Sequence, residues 1–337
     1  MSVATEETLA QLSNNLVYGS MVMFAGALVA FSAELAFGDK GRVARTSDAQ
    51  ARQSVEQYER AQAGGATAVI TRTEVDVAAP PAGAPSRKAE KAGRIGVSLT
   101  VLAFLLLLGG VVARGLSAGR LPWGNMYEFS LTAALAVTGT FLVLLWRRDV
   151  RYLGLFVVMP VLLTLGLAVT LLYTDSAQLV PALKSYWLGI HVTAAIIASG
   201  IFTLGAITSA LYLLQQRWER TGSGGRIAQQ LPSSQALDRS AYRIHAFGFP
   251  LWTFAVVAGA IWAENAWGRY WGWDPKETWA FITWVVYACY LHARATAGWK
   301  GKGAAVIALI GFTCFLFNYF GVNLFGSGLH SYGGVHF

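Results

Sequence analysis

The sequence predicts an all-α fold, a polytopic integral membrane helix bundle of about eight transmembrane helices. Three observations predict it. Hydrophobic residues make up 55% of the 337-residue chain and charged residues only 13%, about half the charged share of a soluble domain. Eight stretches approach or exceed the roughly 20 apolar residues that a spanning helix requires. The Lys and Arg residues between those stretches fall unevenly on alternate loops, as in membrane proteins. A soluble globular domain and a wholly disordered chain are both excluded by this composition.

The first span is read over 16–37. The segment before it, MSVATEETLAQLSNN, is acidic rather than basic, so the span is expected to stay as a helix and not to be removed as a signal peptide. Glu34 ends it and can snorkel. Residues 38–93 change character. They mix Ala, Gly, Thr, Arg and Glu and include APPAGAPSRK, which reads as a flexible cytoplasmic linker with a short helix over 47–63. Residues 94–337 form the main membrane domain. Its spans are read over 95–113, 126–146, 152–173, 188–214, 245–263, 276–296 and 304–325. The span at 188–214 is long enough to extend past the bilayer, and the one at 276–296 starts and ends polar.

Of the 26 Lys and Arg residues, 21 fall in the 38–94, 147–151, 215–243 and 294–303 segments, and five on the opposite side. Basic loops mark the cytoplasmic side, so both termini are expected to be extracytoplasmic. The net charge of +8 is therefore a topology signal, and no RNP or helix-turn-helix pattern suggests nucleic acid. Cys289 and Cys314 sit apart in apolar runs, so neither a thiol redox motif nor a zinc site follows. No repeat at a 20–50 residue period supports an inverted-repeat transporter. No HExxH, GxSxG, P-loop or Rossmann fingerprint occurs in a credible context.

Six of the twelve tryptophans lie between Trp262 and Trp284, in WAENAWGRYWGWDPKETWAFITW. Charge places this loop, 262–279, at the outer membrane face, where an aromatic belt is the ordinary explanation. Six Trp with Tyr270 around one turn exceed what anchoring requires. They suit a flat, apolar, aromatic ligand held by stacking. Of the five histidines, His191 (SYWLGIHV) and His330 (SGLHSYGG) flank the loop on the same face. An imidazole pair beside an aromatic cradle suggests haem iron with two axial nitrogens, although a lone His at a helix end is more often structural.

Arg269 and Lys276 have two readings. They suit haem propionates, and equally Glu264, Asp274, Glu277 or lipid headgroups. Asp274-Pro275 reads as a helix start, with Asp274 as N-cap and a structural role. Glu128, at the outer start of the third span, has two readings, capping that helix with Asn125 or lining a cavity, and capping is the expectation. His292 lies about 24 Å from Lys276 along its helix, so it is a functional candidate toward the cytoplasmic leaflet. His245 starts the sixth span at similar depth, where the two histidines could face each other.

WGRYWGWDPKETW resembles the tryptophan-rich signature of the haem-handling proteins of cytochrome c maturation, the WWD-motif family. The surrounding FGFPLWTFAVVAGAIWAENAWGRYWGWDPKETWAFITWVVYACYLHARATAGW and FNYFGVNLFGSGLHSYG are similar to the central and C-terminal blocks of its CcsA/ResC (CcsB) type, from System II. LGIHV and PWGNMYEF also resemble family segments. The likeness covers roughly 95–337.

The resemblance implies a function. Such proteins accept haem from the cytoplasmic side and present it at the outer face. With a ResB-type partner they support thioether formation between haem vinyls and the CxxCH thiols of apocytochrome c, kept reduced by a thiol-reducing protein. It implies haem b as a transiently bound substrate, and a multi-pass place in the plasma membrane of a bacterium. His191 and His330 would be the outer axial ligands. Trp267, Gly268, Tyr270, Trp271, Trp273 and Asp274 would cradle the macrocycle, with Arg269 and Lys276 beside it. His292 would be the intramembrane ligand, its counterpart coming from the partner, and His245 is left without a role. His336, six residues past His330, is an alternative ligand. Catalysis would belong to a holocytochrome c synthase complex, with no certain catalytic residue here. The rival readings are a haem exporter, a scaffold without catalytic role, and a membrane b-type electron-transfer cytochrome.

Overall fold

The computed structural model describes residues 3–38, 87–176, 185–296, 298–325 and 328–330. The predicted helix over 47–63 and His336 lie outside them. Among the described residues the chain is helical and contains no strand. Helix α1 spans Val3–Phe37, α2 Arg87–Ala118, α3 Met126–Arg147, α4 Gly154–Leu171 after a 3-10 turn at Arg151–Leu153, and α5 Tyr186–Thr221. The short α6 (Gly225–Gln230) leads to α7 (Ser234–Trp267), α8 (Pro275–Ala295) and α9 (Lys302–Leu316), which continues through a π-helical turn at Phe317–Gly321 into α10 (Val322–Phe325).

All eight predicted spans are helices, and seven of them are long and apolar enough to cross a membrane. The eighth is α8. At 21 residues it reaches about 32 Å, but Lys276, Glu277, His292 and Arg294 make its ends polar. Helix α2 begins at Arg87, inside the stretch read as linker. Its first turns are rich in strong helix formers, and Arg94 pairs with Glu90 at 2.8 Å one turn away, which supports a helix at i,i+4 spacing.

Successive spans run up and down. One end of the bundle, the loop end, carries residues 268–274. The other, the linker end, carries the boundaries of the 38–86 segment. Two cores hold it together. Phe24, Phe31, Leu107, Tyr127, Phe141 and Leu165 are buried where α1 to α4 meet. Phe202, Trp252, Tyr287, Tyr290 and Phe315 are buried between α5, α7, α8 and α9. Lipid offers helices no hydrophobic reason to associate, so close packing and interhelical hydrogen bonds must do it. Ser13 Oγ donates to the Gly110 carbonyl at 2.7 Å, tying α1 to α2. At the linker end Glu34 is paired between helices. It accepts from Arg151 Nε at 2.6 Å. Arg294 donates to Asp238 at 2.8 Å, tying α8 to α7.

Helices α5 and α7 are keyed to each other by two histidines. His191 on α5 lies against Gly259 on α7, where a Cβ would fall 2.7 Å from the imidazole. His245 on α7 lies against Gly205 on α5, where a Cβ would fall 2.5 Å from the ring. Only glycine permits either approach. His191 sits at the loop end. His245 is fully buried, packed by Phe202, Tyr287 and Tyr290, with Ser209 Oγ 3.3 Å from Nε2. His292 is exposed. The two therefore do not face each other, because the turn of α8 that points Tyr290 inward points His292 away from the bundle.

Candidate functional site

At the loop end α5, α7, α8, the π turn and the residues before α3 enclose a cavity of about 220 Å³. His191, Trp262, Trp267, Tyr270, Trp271 and His330 line it, together with Trp123, Trp252 and Lys276.

His191 stands in the second turn of α5, whose N-cap Ser185 accepts from the Trp187 amide. Its Nδ1 is 2.7 Å from the Ala255 carbonyl. A carbonyl only accepts, so Nδ1 carries the proton and Nε2 the lone pair. Its ring is parallel to Trp262 within 8°, at a centroid distance of 6.1 Å. Trp262 also meets His330, edge-on at 5.8 Å, so one buried indole touches both imidazoles. Its own indole N–H is buried with no hydrogen-bond partner among the described residues, an unusual state for a buried donor.

His330 is held by Asp274. The imidazole Nδ1 lies 2.8 Å from Asp274 Oδ1; a carboxylate only accepts, so Nδ1 carries a proton, and Nε2 is the nitrogen that offers a lone pair when the ring is neutral. Asp274 Oδ2 accepts from the Leu329 amide at 2.7 Å. The same side chain caps α8, accepting from the Lys276 amide at 3.0 Å and completing a capping box with Glu277. Burial raises the Asp274 carboxyl, but the His330 hydrogen bond and charge, with the Leu329 and Lys276 amides, outweigh it and hold it at about 2. The N-cap role read from Asp274-Pro275 is present. The grip on His330 was missed, because the sequence separation of 56 residues gives no sign of it.

The loop backbone is set by Glu277. Its carboxylate accepts from the Gly272 amide at 2.8 Å, the Asp274 amide at 3.0 Å and Arg269 Nη1 at 3.0 Å. A Cβ on Gly272 would overlap the Arg269 guanidinium, so that arginine lies directly against the loop. Arg269 is thus paired with Glu277, one of the two readings given for it. Lys276 donates instead to the Asn318 carbonyl at 2.8 Å. The π turn makes that carbonyl available, since the Val322 amide bonds Phe317 rather than Asn318; such turns recur at functional sites. Gly268 ends α7 in the left-handed conformation, φ 68°, where glycine is at ease.

Of the predicted cradle, Trp267, Tyr270 and Trp271 line the cavity, and Lys276 with them. Gly268, Arg269 and Asp274 do not line it, and neither does Trp273. It is 65% exposed and meets Trp271 and Phe281 edge-on, with a positive φ of 59°, a strained backbone for a bulky residue. His292 and His245 lie away from this cavity. Trp262, at the start of the tryptophan-rich stretch, lines the cavity as well, and so do Trp252 and Trp123, which come from α7 and the turn before α3 and have no role in the sequence reading. Glu128 does not cap α3. Asn125 accepts from its amide at 2.9 Å, while the carboxylate is buried between Arg114 and Arg120.

These features define a class: a multi-pass helical membrane protein with a histidine- and tryptophan-lined cavity at one end of its bundle. Residues 123–330 match the family model described as cytochrome C assembly protein. The chain is 37% identical over 289 residues to the cytochrome c biogenesis protein CcsA of Microcystis aeruginosa, covering 72% of this chain and 87% of the relative. It is 41% identical over 247 residues to the CcsA of Chlamydomonas reinhardtii, covering 71% and 67%. With the CcsA of Porphyra purpurea it shares 35% over 278 residues. The chain belongs to this family of CcsA-type cytochrome c biogenesis proteins.

Proposed function

We propose that this protein acts in cytochrome c maturation by holding haem in the loop-end cavity, with His191 and His330 as axial ligands through Nε2. The observation that carries the reading is that both imidazoles have their proton fixed on Nδ1 by an oxygen acceptor and both touch Trp262 in one cavity. An oxygen-bonded Nδ1 is the usual support of a metal-ligating histidine. The aromatic lining suits the macrocycle, and Lys276 suits a propionate. The Trp262 N–H, buried without a partner among the described residues, leaves a donor that a polar group could meet. An electron-transfer cytochrome b is disfavoured, because His330 comes from the tail beside the loop rather than from within a spanning helix.

The basic loops support a cytoplasmic linker end, and on this reading the cavity faces the extracytoplasmic side of a bacterial plasma membrane. There a ResB-type partner and apocytochrome c would meet it. Haem supplies the iron and the vinyl groups. Adding a thiol S–H across a vinyl C=C makes the thioether with no leaving group and no net oxidation, provided a thiol-reducing protein has left the CxxCH thiols free. The chain's own part is position, which is a large effect when geometry is good. Exposed His292 is the ligand of an intake site completed by the partner.

The test is the reduced absorption spectrum of the protein purified with its ResB-type partner. A low-spin b-type signal is expected, lost in His191→Ala and His330→Ala and restored by imidazole. If the signal is unchanged in both variants, the axial assignment is wrong. If no haem copurifies or binds, the scaffold reading takes its place.

A further inference from the structure

Two loops wall the cavity, and they are built alike. In the first, Asn125 caps α3 and the residue three further on is Glu128. In the second, Asp274 caps α8 and the residue three further on is Glu277. Each carboxylate turns back to a glycine amide, Gly124 at 2.8 Å and Gly272 at 2.8 Å. Each is also bound by the arginine eight residues before it, Arg120 at 2.6 Å and Arg269 at 3.0 Å. A tryptophan immediately precedes each clamped glycine, Trp123 and Trp271, and both line the cavity. The second loop has one residue more between the clamped glycine and the cap, and that residue is Trp273, with its positive φ.

Capping does not require this arrangement, since Asn125 already satisfies the Glu128 amide. Stability does not explain it either. Arg114 and Glu128 are wholly buried, and a buried ion pair is a poor source of net stability. One Arg114 nitrogen lacks a partner among the described residues, although the guanidinium also donates to the Thr174 carbonyl and lies 5.3 Å from the Tyr127 ring centre. What the carboxylate does fix is the Gly124 amide, and with it the direction of Trp123. We infer that Glu128, gripped by Arg120 and Arg114, is a positioning residue that sets Trp123 as the second aromatic wall of the cavity, as Glu277 and Arg269 set Trp271. The substrate is then held by two clamped tryptophans from separate loops. This rests on the reading that the cavity holds haem.

The test titrates the full-length chain with haem and, separately, with iron-free protoporphyrin IX, which requires no axial ligand. Trp123→Ala is expected to weaken both about three- to tenfold, the range of one aromatic pair, and Trp123→Phe to recover most of the loss. Glu128→Gln is expected to do the same. The double variant should be no worse than Trp123→Ala alone, because Glu128 acts through Trp123. Losses that multiply, or a Trp123→Ala protein that binds both porphyrins as the wild type does, overturn the inference. If Glu128→Gln does not accumulate, Trp123→Ala against Trp123→Phe decides. A wild type that binds neither porphyrin removes the haem reading and this inference together. A wild type that binds, with unaltered variants, removes only this inference.

Discussion

Asp274 grips His330 through the oxygen that also caps α8: Oδ1 lies 2.8 Å from the imidazole Nδ1 and 3.0 Å from the Lys276 amide. The tail histidine and the start of a spanning helix therefore share one carboxylate. Asp274→Asn keeps a capping side chain but removes the charge that makes Nε2 more basic. Haem affinity is expected to fall about 10- to 100-fold, as for other oriented metal-ligating histidines, with little loss of helix content. Absorption titration and circular dichroism measure the two.

The same carboxylate sets an acid limit. Its folded-state value of about 2 lies below the ordinary 3.8, so the ionised form stabilises the native loop at neutral pH. That contribution is fully present above about pH 4 and is lost as pH falls toward 2. Tryptophan fluorescence of the wild type is expected to change across that window and to be flat there in Asp274→Asn.

Gly259→Ala would drive a methyl group to within 2.7 Å of the His191 ring. The imidazole must then leave its bond to the Ala255 carbonyl. Overpacking of this kind costs about 1–3 kcal/mol, expected as a lower melting temperature together with a perturbed low-spin spectrum.

Lys276→Met tests the propionate contact by ligand chemistry. It is expected to weaken binding of haem and to leave binding of haem dimethyl ester unchanged, because the ester carries no charge for the ammonium to meet. Equal losses for both ligands would mean that Lys276 serves only its bond to Asn318.

Trp273 faces away from the cavity on a strained backbone. Trp273→Gly is expected to release about 1 kcal/mol of that strain and to leave porphyrin affinity within about a factor of two. Thermal unfolding and titration check each half. A large loss of porphyrin affinity would return Trp273 to the cradle.

The spans were legible because lipid forces every lipid-facing position to be apolar, and that signal survives in one dimension. His191 and His330 were legible because each stands beside a dense aromatic loop on the same side of the charge pattern. What stayed hidden depends on the rotation of helices about their axes. Trp262 touches both imidazoles only because α7 turns it toward α5. His292 is exposed, and His245 buried, for the same reason. The ion pairs of Glu128 and Arg114 stayed hidden for another reason. Nothing in the spacing of charged residues shows that two chain segments meet below the surface of the bundle.

The reciprocal seating of His191 on Gly259 and His245 on Gly205 has a consequence for how this chain can change over evolution. Each imidazole and the notch for the other are 14 residues apart on both helices, about 21 Å. A single insertion or deletion between them, on either helix, would leave one histidine facing its notch and push the other into a backbone. The segments 191–205 and 245–259 should therefore keep equal length across descendants of this sequence, varying in side chains but not in residue count.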